Sequence, residues 1–190
     1  MEERYQGNYE KVKEDWKEKA RTWNFKERYE ALGLDGYCEG KKTLRFFGQD
    51  YQIDPATGEI SEKDDPKASV DFNTAMSIYN LFYYSKEKPR LSGEWVPFRD
   101  VPRAGVFTKA FFEQTVEPFA RTFNGHLPEL LEAGERLGYE RIAYSDAGFE
   151  ARAFDCLPIR FLFWDGDEEF PAKANVLFDK NIVEFVHEET

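Results

Sequence analysis

"GFEARAFDCLPIRFLFW", Gly148 to Trp164, alternates large apolar and polar or small residues on either side of Asp155-Cys156. A period of two over six to eight residues is the mark of a strand with one buried face. Two such runs around a two-residue turn predict an antiparallel hairpin, Phe149–Phe154 with Leu157–Trp164. In that hairpin Arg152 and Arg160 fall nearly opposite each other on one face. Like charges directly across a ladder are destabilising, so an anion is expected between them. Glu150, an acid from the following turn, or a small anionic ligand held by the guanidinium fork could supply it. Arg160 shares its face with Leu162 and Trp164, so it should be partly buried with a carboxylate nearby.

Further strands are expected around this hairpin. Arg141–Tyr144 precedes it, and Asn175–Phe178 and Ile182–Val186 follow. Thr43–Phe47 and Asp50–Asp54 read as a second hairpin about Gly48-Gln49, with Glu59–Ser61 as a short third strand. The rest of the chain has helical periodicity. Tyr9, Val12, Trp16, Ala20 and Trp23 form a narrow apolar stripe on a charged helix. Asn24 caps a short helix carrying Phe25, Tyr29 and Leu32, and Gly33 stops it. Asp71 caps a helix with Phe72, Ala75, Met76, Tyr79, Phe82 and Tyr83 on one wide face, flanked by Ile78 and Leu81. Thr108 opens another, with Phe111, Phe112, Thr115, Val116, Phe119, Ala120 and Phe123 inward, and Pro118 should kink or split it. Pro128 suits the first turn of a helix carrying Leu127, Leu130, Leu131 and Leu137. Between these, "LSGEWVPFRDVPRAG" reads as a Pro/Gly-rich connection holding Trp95 and Phe98. Helices and strands are partly segregated. The expected fold is α+β, a largely antiparallel sheet packed against several helices. It is read as a single domain over 1–190, with residues 1–33 as an amphipathic helical arm docked on the core.

Composition narrows the function classes. The 37 acids against 26 bases give a net charge of −11, which repels phosphate backbones and anionic lipid, so neither nucleic acid nor membrane is an expected partner. The 18 Phe, 10 Tyr and 4 Trp will dominate the core of a 190-residue chain. The opening residues are charged and lack an apolar signal segment. Cys38 and Cys156 are far apart and outside any CxxC. Together these lead to the expectation of a reducing cytoplasm.

Several segments resemble, in the same order, a family of bacterial and archaeal domains of unknown function, the one numbered 3786. They are "FFGQDYQID", "LSGEWVPFRDV", "LPIRFLFWDGDEEFPA" and "NVLFD". The likeness runs from about Gln6 to Val186, and "WDGDEEFPA" is its most specific part. Some relatives carry an added cysteine-rich cluster-binding segment, which this chain lacks. The resemblance implies no established reaction.

The chemistry-bearing residues support two readings. Asp165, Asp167, Glu168 and Glu169 offer oxygen ligands for calcium or magnesium, but lack EF-hand spacing, and Asp165-Gly166 is itself a turn signal. Cys156 beside Leu157 and Pro158 reads as a small buried hydrophobe, and His126 and His187 sit in a helix stop and a tail. Nucleotide-binding, hydrolase and zinc-protease motifs are absent. The first reading is a non-catalytic module binding a protein partner or a small, anionic ligand, with Trp95, Arg152, Arg160, Trp164, Asp167 and Glu168 as candidate contacts and no tight metal site. The second is a carboxylate-based enzyme using Asp167 and Glu168, with a divalent metal at Asp165–Glu169.

Overall fold

The structure is a computed structural model. It describes residues 2–35 and 42–190, with side chains of the first helix from Asn8 onward. Among the described residues, eight strands form one antiparallel sheet. They are β1 (Lys42–Phe46), β2 (Gln49–Ile53), β3 (Ile60–Glu62), β4 (Trp95–Pro97), β5 (Glu140–Ile142), β6 (Ala147–Phe154), β7 (Leu157–Trp164) and β8 (Lys173–Asp179). Their order is β3-β2-β1-β6-β7-β8-β4, with β5 beside β6. The helices are α1 (Glu2–Ala20), α2 (Phe25–Leu32), α3 (Phe72–Tyr84), α4 (Thr108–Phe111), α5 (Glu117–Phe123) and α6 (Leu127–Arg136). The fold is α+β, and no described helix is long and apolar enough to cross a membrane.

One sheet face carries the core. The register aligns Phe149 with Phe161 and Val176, and Ala151 with Ile159 and Phe178. With side chains alternating across the sheet, these residues point to the same side. Two helical groups cover it. Phe25, Tyr29, Ile78, Tyr79, Leu81 and Phe82 of α2 and α3 pack with Leu44, Ile53, Ala151 and Ile159. Leu130, Phe119 and Phe123 of α5 and α6 pack with Ala147, Phe149 and Phe163. Gly134 lets α6 approach closely, since a Cβ there would meet the Phe149 ring at 2.2 Å. The groups part over the middle of β7 and β8, and that is where the site lies.

Local chemistry explains the well-read elements. Asn24 and Asp71 accept from Glu27 N and Thr74 N as helix caps, and Gly33 ends α2 in the left-handed conformation. Four expectations are corrected. The tight turn of the first hairpin is Phe47-Gly48, both at positive φ, which moves β1 and β2 one residue earlier. On α3, Ile78 and Leu81 are fully buried while Tyr83 is half-exposed, because α1 and the sheet meet the helix on different sides. Trp95–Pro97 is an edge strand, where Pro97 is tolerated. β4 holds the outer edge of β8 at Leu177–Asp179, where an added strand at 182–186 would have had to pair; residues Ile182–Glu184 form a 3-10 turn.

The β4–β8 junction also explains two of the family-like segments. Asp179 is buried in the sheet. Its carboxylate accepts from Ser92 N and Oγ at 2.9 Å, Gly93 N at 2.7 Å and Asn181 N at 2.8 Å. The "LSG" and "LFD" residues thus form one knot that fixes the start of β4. A carboxylate bonded to several backbone N–H groups tolerates burial that an unpaired one would not.

Candidate functional site

The helical segment after β4 is irregular. Residues 98–100 and 104–107 are 3-10 turns, α4 is a single turn, and 112–116 is a π turn that runs into α5. Pro118 supplies a cause. It lacks the N–H that would bond Gln114 O, and its ring crowds that carbonyl, so the chain widens ahead of it. The expected helix is therefore interrupted, and Phe112 turns outward, 53% exposed, instead of packing inward. Phe107 and Phe111 stay only partly buried, and Arg103, ahead of the second 3-10 turn, holds the left-handed conformation at φ 70°.

Between this segment and the sheet lies a cavity of about 520 Å³. Its floor is Ile159, Phe161, Val176 and Phe178, and Phe98, Phe107 and Phe111 wall one side. Ile182, Val183 and Val186 close another, followed by residues 187–190. Phe98, Phe111 and Phe178 form a ring triad with centroid separations of 4.4, 5.7 and 5.7 Å. The polar lining is sparse: Gln114 and Thr115 from the π turn, then His187, Glu188, Glu189 and Thr190. Glu188 Oε2 is buried and, among the described residues, has no hydrogen-bond partner. Arg103 Nη2 lies 3.1 Å from it, an ion-pair distance without hydrogen-bond alignment.

A second cleft, about 640 Å³, lies on the far side of Phe98 and Phe111, at the part of β8 that β4 leaves uncovered. Arg99, Lys173, Asp165 and Asn175 give it a mixed, polar lining, with Trp164, Phe170 and Pro171. It is larger, but the smaller cavity has the apolar floor and the more apolar lining, and is the better-formed site.

The residues singled out from the sequence do not converge. The hairpin register sets Arg160 opposite Glu150 and Arg152 opposite Pro158, with an irregularity between Arg152 and Phe154. The two arginines are therefore diagonal, two residues out of the expected register. Arg160 Nε bonds Glu150 Oε2 at 2.9 Å, and its guanidinium lies 3.9 Å from the centre of the Trp95 ring. Arg152 is exposed and donates to Asp155 O at 2.8 Å. Thus Trp95 and Arg160 meet, on the sheet face opposite the cavity, and the anion beside Arg160 comes from the chain. Trp164 lies at the second cleft.

The acidic segment is a bonded turn. Asp167 Oδ1 accepts from Glu169 N at 2.8 Å and Phe170 N at 2.7 Å, which holds its carboxyl below the usual range. Asp165 Oδ1 accepts from Gly125 N at 2.7 Å, and Glu168 and Glu169 are exposed. Among the described residues, no three His, Cys, Asp or Glu side chains are grouped to hold a metal ion. Cys156 is free and its thiol is pushed up to about 12 by burial, so it stays protonated at neutral pH. Cys38 lies outside the described residues.

Gln114, Thr115 and Glu188 were not among the residues read from sequence as site candidates. Pro118 within a helical pattern was the one available signal, because it foretells the disturbed turn that carries Gln114 and Thr115. No curated protein and no solved structure matches the chain. A family model does match, over residues 24–190, so the resemblance begins after α1 and not at Gln6. The chain therefore belongs to the family described as Domain of unknown function (DUF3786).

Proposed function

We propose that the protein is a binding module for a small molecule, held in the 520 Å³ cavity between β7, β8 and the segment 98–116. The observation that carries this reading is a cavity of about 520 Å³ with a predominantly apolar lining that includes six phenylalanines. Interiors built only for stability are close-packed. Pockets of roughly 300–1,000 Å³ with apolar walls and a few convergent polar groups are the usual form of a small-ligand site. The loosely packed wall of 3-10, α and π turns provides a way in that the sheet does not.

The neutral probe is n-octanol, followed by amide NMR shifts. Saturable shifts are expected at Thr115 and Val176. Val176→Phe fills the cavity from the floor and should abolish them while leaving the melting temperature unchanged or higher. Ala110→Phe, at the exposed rim, repeats the test without touching the core. Octanol shifts that fail to saturate, or that persist in both variants, would overturn the assignment.

A further inference from the structure

Apart from that cavity, we infer that the outer edge of β8 at residues 173–176 docks an extended peptide segment of a partner protein, added to the sheet as a strand in line with β4. β4 pairs with β8 only at Leu177–Asp179, and the chain then turns away into the 3-10 turn Phe98–Asp100. Among the described residues, no strand lies beside 173–176 on that side. The register decides which backbone groups are left there. Lys180 N bonds Glu94 O at 2.9 Å, so even-numbered residues of β8 turn their N–H and C=O groups toward the β4 side. On β7, Phe163 N bonds Ser145 Oγ, away from its β8 neighbour Ala174, which fits the same alternation. Ala174 N–H and C=O and Val176 C=O therefore face the open edge. Val176 N–H is capped by the chain's own Asn175 Oδ1 at 2.9 Å.

The 640 Å³ cleft opens on this edge, lined by Lys173, Ala174 and Asn175 from β8 and by Phe111 and Phe112 from the helical segment. Three large aromatics on its lining are exposed: Trp164 by 37%, Phe112 by 53% and Phe170 by 60%. Side chains alternate across a strand, so those of an added strand would fall in turn on the helical side, toward Phe112, and on the open face of the sheet. Trp164 stands on that open face, because its neighbour Phe163 is buried in the core. In such pairing the main chain supplies affinity and the alternate pockets supply specificity. A row of donors and acceptors is matched by another backbone, not by a small apolar molecule. Charge does not choose the occupant, since Arg99, Lys173 and Asp165 all line the cleft. The partner segment is therefore uncharged, with apolar residues at alternate positions. A second copy of the chain fits less well. Four residues of edge extend about 13 Å, a small part of the roughly 1,200 Å² or more that a stable protein interface buries, and each copy carries a net charge of −11.

The probe is a phage-displayed library of unconstrained ten-residue peptides panned on the full chain, with the most enriched peptide then synthesised. It should carry apolar residues at alternate positions, shift the amide signals of Ala174 and Val176, and slow exchange at Ala174 N–H. N-methylation of the peptide amides that face the edge should weaken binding at least tenfold. Methylation one residue along, at amides that face away, should weaken it less than threefold. Phe112→Ser, at an exposed position, should weaken it at least fivefold with the melting temperature unchanged. No enrichment over an uncoated surface, amide shifts centred elsewhere, or equal sensitivity to both methylation patterns would overturn the assignment. A dimer of the free chain whose dilution shifts the amides of Ala174 and Val176 would give the edge to a second copy and overturn it also.

Discussion

Arg160 is held on two sides, by Glu150 Oε2 at 2.9 Å and by the Trp95 ring at 3.9 Å. The two charged side chains are each 21% exposed, so the pair is neither a surface bridge nor a dry one. Removing one partner of a fully buried pair costs roughly 3–5 kcal/mol, while an exposed pair contributes about 0–1. Arg160→Met should therefore lose about 2 kcal/mol, between those limits, measured by urea denaturation. Glu150→Gln should lose less, because the guanidinium keeps the indole face and some water. The double variant Glu150→Leu with Arg160→Met should recover most of the loss, since the orphaned charge is then gone. A loss under about 0.5 kcal/mol for Arg160→Met would place the pair in the surface class. The same two-residue register that creates this pair separates Arg152 from it. Alternation fixes the face on which each residue stands, whereas the residue opposite it depends on the turn and on the irregularity after Arg152.

At the scale of elements, what was legible was local. Asn24, Gly33 and Asp71 mark their helices through bonds within one turn, and Leu157, Ile159, Phe161 and Phe163 mark the core face of β7 at every second position. What was not legible depends on partners distant in sequence. Trp95–Pro97 is a strand because β8 has an open edge there, and 182–184 is not one because that edge is taken. Glu188 becomes a site residue only when the floor of β7 and β8 is brought beneath it. The docking of α1 is of the same kind. Trp16 stacks on Tyr79 at 6.0 Å and meets Tyr83 edge-on at 5.2 Å, while Tyr9 remains half-exposed, so the predicted stripe is only partly used. The close fit lies at the other side of the helix, where Gly58, at φ 74°, abuts Lys17. A Cβ at Gly58 would stand 2.1 Å from the Lys17 carbonyl oxygen. Gly58→Ala therefore combines a left-handed backbone cost of about 1–2 kcal/mol with a backbone clash. Its expected effect is faster amide exchange across residues 8–20 with β6 and β7 still protected. Glu59→Ala, which removes only the 3.5 Å ion pair to Lys17, should leave that exchange nearly unchanged. Equal exchange in Gly58→Ala and the parent would mean that the aromatic contacts and the Lys13 Nζ bond to Val70 O hold the helix without the Gly58 fit.

For the whole molecule, charge sets two opposing effects. The net charge of −11 makes the folded chain repel itself, and salt relieves that. Salt also screens the exposed pairs Lys63–Asp50, Lys86–Glu184 and Lys180–Glu94, each of which contributes little. Repulsion should win at pH 7, so the melting temperature should rise between 0.05 and about 0.5 M NaCl, where the Debye length falls well below 10 Å. A rise of about 2–4 °C is what 1 kcal/mol yields in a chain of this length. At pH 5, close to the isoelectric point of about 4.8, the repulsion has gone and the rise should vanish. Acid then acts through specific carboxylates. The hydrogen bond from Lys63 holds Asp50 below its usual range, that from Lys86 does the same for Glu184, and the backbone N–H of Glu169 for Asp167. In each case the unfolded chain takes up its proton first, near pH 4. These groups therefore add stability that is fully present above that pH and is lost as pH falls through the lower folded values. The melting temperature should rise modestly from pH 8 to 5 as the repulsion fades and decline below about 4, with a shallower decline in Asp167→Asn. Loss of stability with salt at pH 7 would show instead that the surface pairs outweigh the net repulsion.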